Sequence, residues 1–331
     1  MVKAVRVHEY GGPDKLVYED IELGEPGPGE ARIRHTAIGL NYADLHNREG
    51  RYPLPSLPHV LGGEGAGVVE AVGPGVIDVK PGDRVAYAAG GPAFPPGSYA
   101  EARLFDASRL VLLPDEIDDR TAAGMIVKGL TAQYLLKSVY PVGPGDTVVV
   151  HAAAGGVGTI MTQWAAYLGA RVIGVVGSQE KAEMARQNGC MHALVTGEDD
   201  VPARVRALTA GEGVPVVFDA VGKDTIHRSM HSLRKRGLCI NYGGASGLVD
   251  SIEPLELAEA GSIFFTRPHL ADYLRDPGEI AVRTGDLFAA YAKGDLKVTI
   301  DTVFPMQDAR KAHETIEGGL TQGKLLLDIS A

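Results

Sequence analysis

Along residues 3–10, 30–40, 65–73, 83–88 and 98–105 apolar and polar side chains alternate in short runs, separated by Gly and Pro. A period of two predicts strands, and many short strands close together predict an antiparallel barrel or sandwich. The texture changes after Asp118. Residues 118–139 carry a helical period, and β-rich runs then follow at 146–153, 171–178, 192–196, 214–222, 237–244 and 261–267. Helical segments at 158–168, 180–188, 202–209 and 224–235 separate most of them. Six strands in that rhythm predict an α/β fold with a doubly wound, six-stranded parallel sheet. The tail, 297–329, returns to strand–helix–strand and is expected to rejoin the N-terminal part. The expected domains are therefore 1–124 with 268–331, and 125–267.

Composition narrows the class. Of 331 residues, 22% are charged and 45% hydrophobic, and no apolar run approaches the ~18 residues that mark a spanning helix. The N-terminus reads as a strand without the apolar core of a signal peptide. The two cysteines, Cys190 and Cys239, are too few for a disulfide scaffold or a multi-cysteine zinc site, and two reduced thiols suit the cytoplasm. A formal charge of −10 argues against a nucleic-acid surface. No nucleic acid or membrane is expected as a partner. The apolar sixth strand, 261–270, is expected at the sheet edge, where two copies could pair into a homodimer.

The first βα turn of the second domain holds the clearest chemistry. An apolar strand runs into Ala153-Ala154-Gly155-Gly156-Val157-Gly158, and a helix begins there. Ala154 to Val157 would meet a dinucleotide diphosphate at the helix N-terminus, and Gly158 would let helix and strand pack closely. At the end of the next strand an acid would bind the 2′-hydroxyl of NAD; here stand Gly177 and Ser178, followed by Lys181. A hydroxyl and an ammonium suit a 2′-phosphate, so NADPH is the expected cofactor. The ten histidines show no ligand spacing, and His151 reads as a satisfied strand-end side chain rather than a base.

Further motifs are YGGP (10–13), GLNYADLHNREGRYP (39–53), LGGEGAGVVEAVG (61–73), GSYAE (97–101), VKGLTA (127–132), VFDAVG (217–222) and GKLLL (323–327). With HAAAGGVG (151–158) they make the chain resemble the zeta-crystallin-like quinone oxidoreductases, a zinc-independent branch of the medium-chain dehydrogenase/reductase superfamily. The resemblance implies a Rossmann domain and a discontinuous GroES-like β-barrel catalytic domain. It implies hydride transfer from NADPH to a quinone, and a homodimer.

Zinc alcohol dehydrogenases of that superfamily carry a cysteine and a histidine where this chain has Asn41 and Gly63. Glu64 is therefore expected to have no metal to support, and to brace the wall by accepting hydrogen bonds from the loop or an arginine. By resemblance Asn41, Tyr42, Tyr52 and Lys128 wall the acceptor. Asn41, Thr131, Thr196 (where the family has a tyrosine), Val221, Gly243, Ser246, Phe265 and Lys324 are implied on the cofactor side. Gly244 and Gly319 replace an Asn and an Arg of close relatives. Reduction of an enone, alkenal or enoyl thioester remains an alternative, as does a crystallin-like protein that binds NADPH without turnover.

Overall fold

The structure is a computed structural model that describes residues 1–89, 95–319 and 321–329. It divides into two compact units. One comprises Met1–Leu130, Tyr273–Phe288 and Val298–Ala331; the other comprises Thr131–Asp272 and Ala289–Lys297. The boundary expected at 124 lies inside the helix Asp119–Tyr134.

The first unit is built on two sheets. The larger has the strand order Ile300–Pro305, Lys324–Asp328, Glu30–Gly39, Glu64–Val72, Arg84–Ala88, Val111–Leu112, with Ala102–Asp106 also paired to Glu30–Gly39. Alternation sets the register of its central pair: Ala31, Ile33 and Val69 point into one core with Val85, Tyr87 and Phe105. The smaller sheet pairs Val2–Val7 with Leu16–Ile21 and His59–Val60. Val5 and Val7 pack there with Leu325, Leu327 and the helix Ala309–Glu317. The tail strand and helix thus pack with the first unit's strands.

One close approach in this unit sets up the site. A Cβ at Gly39 would lie 2.3 Å from the Ala123 carbonyl oxygen and 2.6 Å from Glu64 Cδ. Only glycine lets the Glu64 side chain fit between that strand and the helix Asp119–Tyr134.

The second unit holds the expected six-stranded sheet. Its order is Cys190–Val195, Arg171–Val176, Thr147–His151, Val214–Asp219, Leu233–Asn241, Phe264–Thr266, and every pairing is parallel. This is the 3-2-1-4-5-6 order of a dinucleotide-binding sheet, in which ligands sit beyond the carboxyl ends of the strands where the order reverses.

Several local expectations need correction. The helix expected over 224–235 spans Ile226–His231, and strand begins at Leu233, whose buried side chain pairs opposite Val214. Burial against the sheet outweighs the helical period of that stretch. The sixth strand is only Phe264–Thr266. The sequence reading passed over Leu16–Ile21, where the apolar alternation is weak, and the helices Tyr42–Arg48 and Pro277–Ala292.

Candidate functional site

Glu64 begins its strand wholly buried, and three donors converge on it. Lys324 Nζ lies 2.5 Å from Oε2, Asn41 Nδ2 donates to the same oxygen at 2.6 Å, and the Val127 N–H reaches Oε1 at 3.3 Å. Lys324 Nζ also donates to Asn41 Oδ1 at 2.8 Å, closing a ring of three side chains. Glu64 is thus braced, with a lysine in place of the expected arginine. Lys324 is 2% exposed. By donor inventory, one N–H of the Asn41 amide and one of the Lys324 ammonium remain beyond the bonds above. Lys128 follows Val127 on the helix. Burial pushes its ammonium pKa well below the ordinary lysine value, the Lys324 charge pushes the same way, and Glu64 offsets part of this.

The other expected wall residues have partners elsewhere in the unit. The Tyr42 hydroxyl donates to the Ile316 carbonyl at 3.2 Å. Tyr52 stands edge-on to His46, ring centroids 5.0 Å apart, and its carbonyl accepts from Asn47.

Beneath Asn41 lies a second buried network, missed in the sequence. Asp44 Oδ2 accepts the Asn41 backbone N–H at 2.8 Å and the Tyr99 hydroxyl at 3.2 Å. The Tyr99 oxygen meets His313 Nε2 at 3.1 Å, and His313 Nδ1 meets Arg48, which pairs with Glu317. Burial, the largest cause, raises the Asp44 pKa to about 7 even though the Asn41 N–H and the Lys324 charge favour its ionised form. Burial, then Arg48, lowers His313 to about 3, so its imidazole is neutral. The signal for this network was the Asp44 and Arg48 pair on one short helix; its partners lie 55 and 265 positions away.

In the second unit the strand Thr147–His151 ends in a turn through Ala152, at φ 51°, and Gly155 caps the helix Gly156–Tyr167. A Cβ at Gly158 would lie 2.1 Å from the Ala152 carbonyl oxygen, so the helix can enter this close to the strand only with glycine there. The first N–H groups of that helix, at Gly156 and Val157, have no intrahelical acceptors, which leaves them for an anion. Ala154 is buried beside them.

Across the sheet, Ser178 caps the helix Gln179–Gln187 by accepting the Lys181 N–H at 3.2 Å, and its hydroxyl hydrogen remains to be donated. Nothing stands within 4 Å of a Cβ at Gly177. The exposed Thr196 is tied to the neighbouring strand by its N–H to the Val176 carbonyl, 2.8 Å. Gly177, Ser178, Lys181 and Thr196 thus gather at the carboxyl ends of adjacent strands.

A second group forms around Asp219. Its buried carboxylate accepts from the N–H groups of Val221 and Gly222 and from the hydroxyls of Thr225 and Ser229. Ser246 N–H and Oγ both bond the Val221 carbonyl, and Gly243 packs on Ala220, so Val221, Gly243 and Ser246 come together. His151 is buried, its Nε2 is 3.0 Å from Ser229 Oγ, and burial lowers its pKa; its Nδ1 has no hydrogen-bond partner among the described residues, so the side chain expected to be satisfied is only half so. Phe265 lies instead in the edge strand, packed against the sheet core. Thr131 is buried in its helix.

Among the described residues no group of three or more His, Cys, Asp or Glu could hold a metal ion. None of their helices is long and apolar enough to cross a membrane. Residues 27–115 match the alcohol dehydrogenase GroES-like domain, and residues 156–273 match the family model called zinc-binding dehydrogenase. The chain is 45% identical to a 2-haloacrylate reductase of Burkholderia sp and 44% identical to a quinone oxidoreductase of Pseudomonas aeruginosa, each match covering 99% of both chains. The crystal structure of Escherichia coli quinone oxidoreductase complexed with NADPH superposes with a TM-score of 0.95 at 39% identity, covering 98% of this chain and 99% of that one. Identity at this level along the whole length, with the parallel sheet and both domain matches, is decisive: the chain belongs to the quinone oxidoreductase family of the medium-chain dehydrogenase/reductase superfamily.

Proposed function

We propose that this protein is an NADPH-dependent quinone reductase of the zeta-crystallin-like kind, working without a metal. The observation that carries the reading is the commitment of Asn41 to Glu64 and Lys324. At the positions where zinc dehydrogenases of the superfamily have ligands, this chain offers a carboxamide locked to its neighbours, and Gly63 with no side-chain donor. Without a Lewis acid, an acceptor must spread incoming charge over its own atoms, which a quinone does and a simple ketone does not. NADPH, when bound, supplies the hydride, and one proton completes the hydroquinone.

The chain's own residues bind and orient. The first N–H groups after Gly155 face the diphosphate, and Ser178 and Lys181 hold the 2′-phosphate. Thr131, Thr196, Val221, Gly243, Ser246 and Phe265 complete the cofactor's surroundings. The spare N–H groups of Asn41 and Lys324 meet the acceptor oxygen or the nicotinamide amide. Tyr42 and Tyr52 wall the acceptor, with Lys128 beside them.

The test is NADPH oxidation with 1,4-benzoquinone and naphthoquinones after exhaustive chelation, where retained activity is expected. Lys181→Ala should lower kcat/KM with NADPH but not with NADH by 10- to 100-fold, since a charge-assisted contact contributes roughly 1.5–3 kcal/mol. Equal use of NADH and NADPH by the unaltered protein would overturn the cofactor assignment.

A second reading, reduction of an activated alkene, is favoured by the full-length likeness to a 2-haloacrylate reductase. The proposal includes a homodimer, supported by Phe264, 63% exposed on the edge strand of the sheet. Light scattering that shows a monomer at micromolar concentration would count against it. A cytoplasmic location is supported by two free, buried cysteines.

A further inference from the structure

The YGGP motif docks on the helix Tyr42–Arg48 and on the loop that follows it. The Gly11 N–H donates to the Arg48 carbonyl at 3.1 Å, and Arg48 Nε donates back to the Gly11 carbonyl at 2.9 Å. Tyr10, one residue earlier, grips the loop at two points. Its hydroxyl accepts the Leu54 N–H at 3.0 Å. Its ring packs on Gly50, with Cγ 2.8 Å from the point a Cβ there would occupy, so the ring can lie this close only over glycine. Tyr52 is the middle residue of the loop from Gly50 to Leu54. On its inner side the loop is tied to the helix: the Tyr52 N–H donates to the His46 carbonyl at 3.1 Å, and the Tyr52 carbonyl accepts from Asn47 Nδ2 at 3.0 Å. Leu54 is buried in the apolar core, whereas Tyr10 is 39% exposed. One surface side chain thus holds both ends of the loop that carries Tyr52.

We propose, resting on the reading of Tyr52 as a wall of the acceptor site, that Tyr10 is a positioning residue for the acceptor. It acts through the Gly50–Leu54 loop to fix the Tyr52 ring in place, and so sets the affinity for quinones. A loop side chain contributes fully to binding only when its backbone is held beforehand, because ordering the loop on binding subtracts from affinity. Tyr10 acts on the wall and not on the reacting atoms, so its effect falls on KM rather than on kcat.

The experiment follows NADPH oxidation with 1,4-benzoquinone and 1,4-naphthoquinone in Tyr10→Phe, Tyr52→Ala and the double variant, with a melting curve on each preparation. Tyr10→Phe keeps the ring on Gly50 and removes only the hydroxyl. It should raise the quinone KM about fivefold, the weight of one ordinary hydrogen bond, while kcat and NADPH affinity stay within about twofold. Tyr10→Leu, which also takes the ring off Gly50, should raise KM further. In the Tyr52→Ala background the effect of Tyr10→Phe should shrink below about twofold, because the side chain it positions is gone. Equal losses in the two backgrounds would overturn the assignment. So would a lowered melting midpoint with the quinone KM unchanged, which would make Tyr10 a stability brace alone. Quinone turnover indifferent to Tyr52→Ala would remove Tyr52 from the wall and Tyr10 with it, leaving the reductase reading intact. No quinone-dependent oxidation by the unaltered protein would sink the reductase reading and this assignment together.

Discussion

Glu64→Gln is expected to lower the thermal midpoint by roughly 6–10 °C while leaving much of the turnover of the folded enzyme. Glutamine keeps the shape of the side chain, but its single oxygen can accept at only one of the two positions, from Asn41 or from Val127. It removes the counter-charge of Lys324, whose buried ammonium has Glu64 and Asn41 as its acceptors among the described residues. Breaking a buried pair from one side costs about 3–5 kcal/mol, because the remaining charge has lost both partner and solvent. The measurement pairs a melting curve with quinone-dependent NADPH oxidation on the same preparation. An unchanged midpoint with a thousandfold loss of turnover would make Glu64 a catalyst and remove the brace.

Asp44 should give the protein an unusual stability slope near neutrality. Its pKa is 3.8 as a free side chain and about 7 in the folded state. Between those values the folded chain keeps a proton that the unfolded chain releases, so this group makes stability fall as pH rises. The loss is complete above pH 7 and amounts to about 4 kcal/mol. In Asp44→Asn the side chain stays neutral and can still accept from Asn41 and Tyr99. Urea unfolding should put the Asn variant ahead by about 1.6 kcal/mol at pH 5 and by about 4 kcal/mol at pH 8. His313, with a folded pKa of about 3, contributes the opposite trend below pH 6.5, but it is present in both proteins and cancels in the difference. A constant difference between pH 5 and pH 8 would show that Asp44 is ionised throughout.

Some of the fold was legible because its causes are local. Alternation over 30–40 and 65–73 gave the central strand pair of the first unit, and the strand–turn–helix run around Gly155 gave the start of the parallel sheet. Where local pattern was weak or misleading, reading failed. Leu16–Ile21 has too few inward apolar residues to stand out, and residues 233–235 continue a helical period into what is strand.

The candidate site divides the same way. Gly155, Gly158, Gly177, Ser178 and Lys181 could be picked out because a βα turn and the strand after it follow one another in the chain, so their spacing carries the geometry. Glu64 could be singled out as a carboxylate among glycines, but nothing near it in sequence names its partner. That partner is Lys324, 260 residues away, brought alongside because the tail strand pairs with Glu30–Gly39. Sequence alone determined which residue types were present: no ligand donor at position 63, Gly177 and Ser178 rather than an acid at the end of the second strand of the parallel sheet, and Glu64 set among glycines and alanines. Tertiary structure decided their charge states and partners. The pKa of Asp44, the pairing of Lys324 and the exposure of Lys128 to two neighbours depend on desolvation and on distances of a few ångströms, which exist only once distant strands and helices have packed.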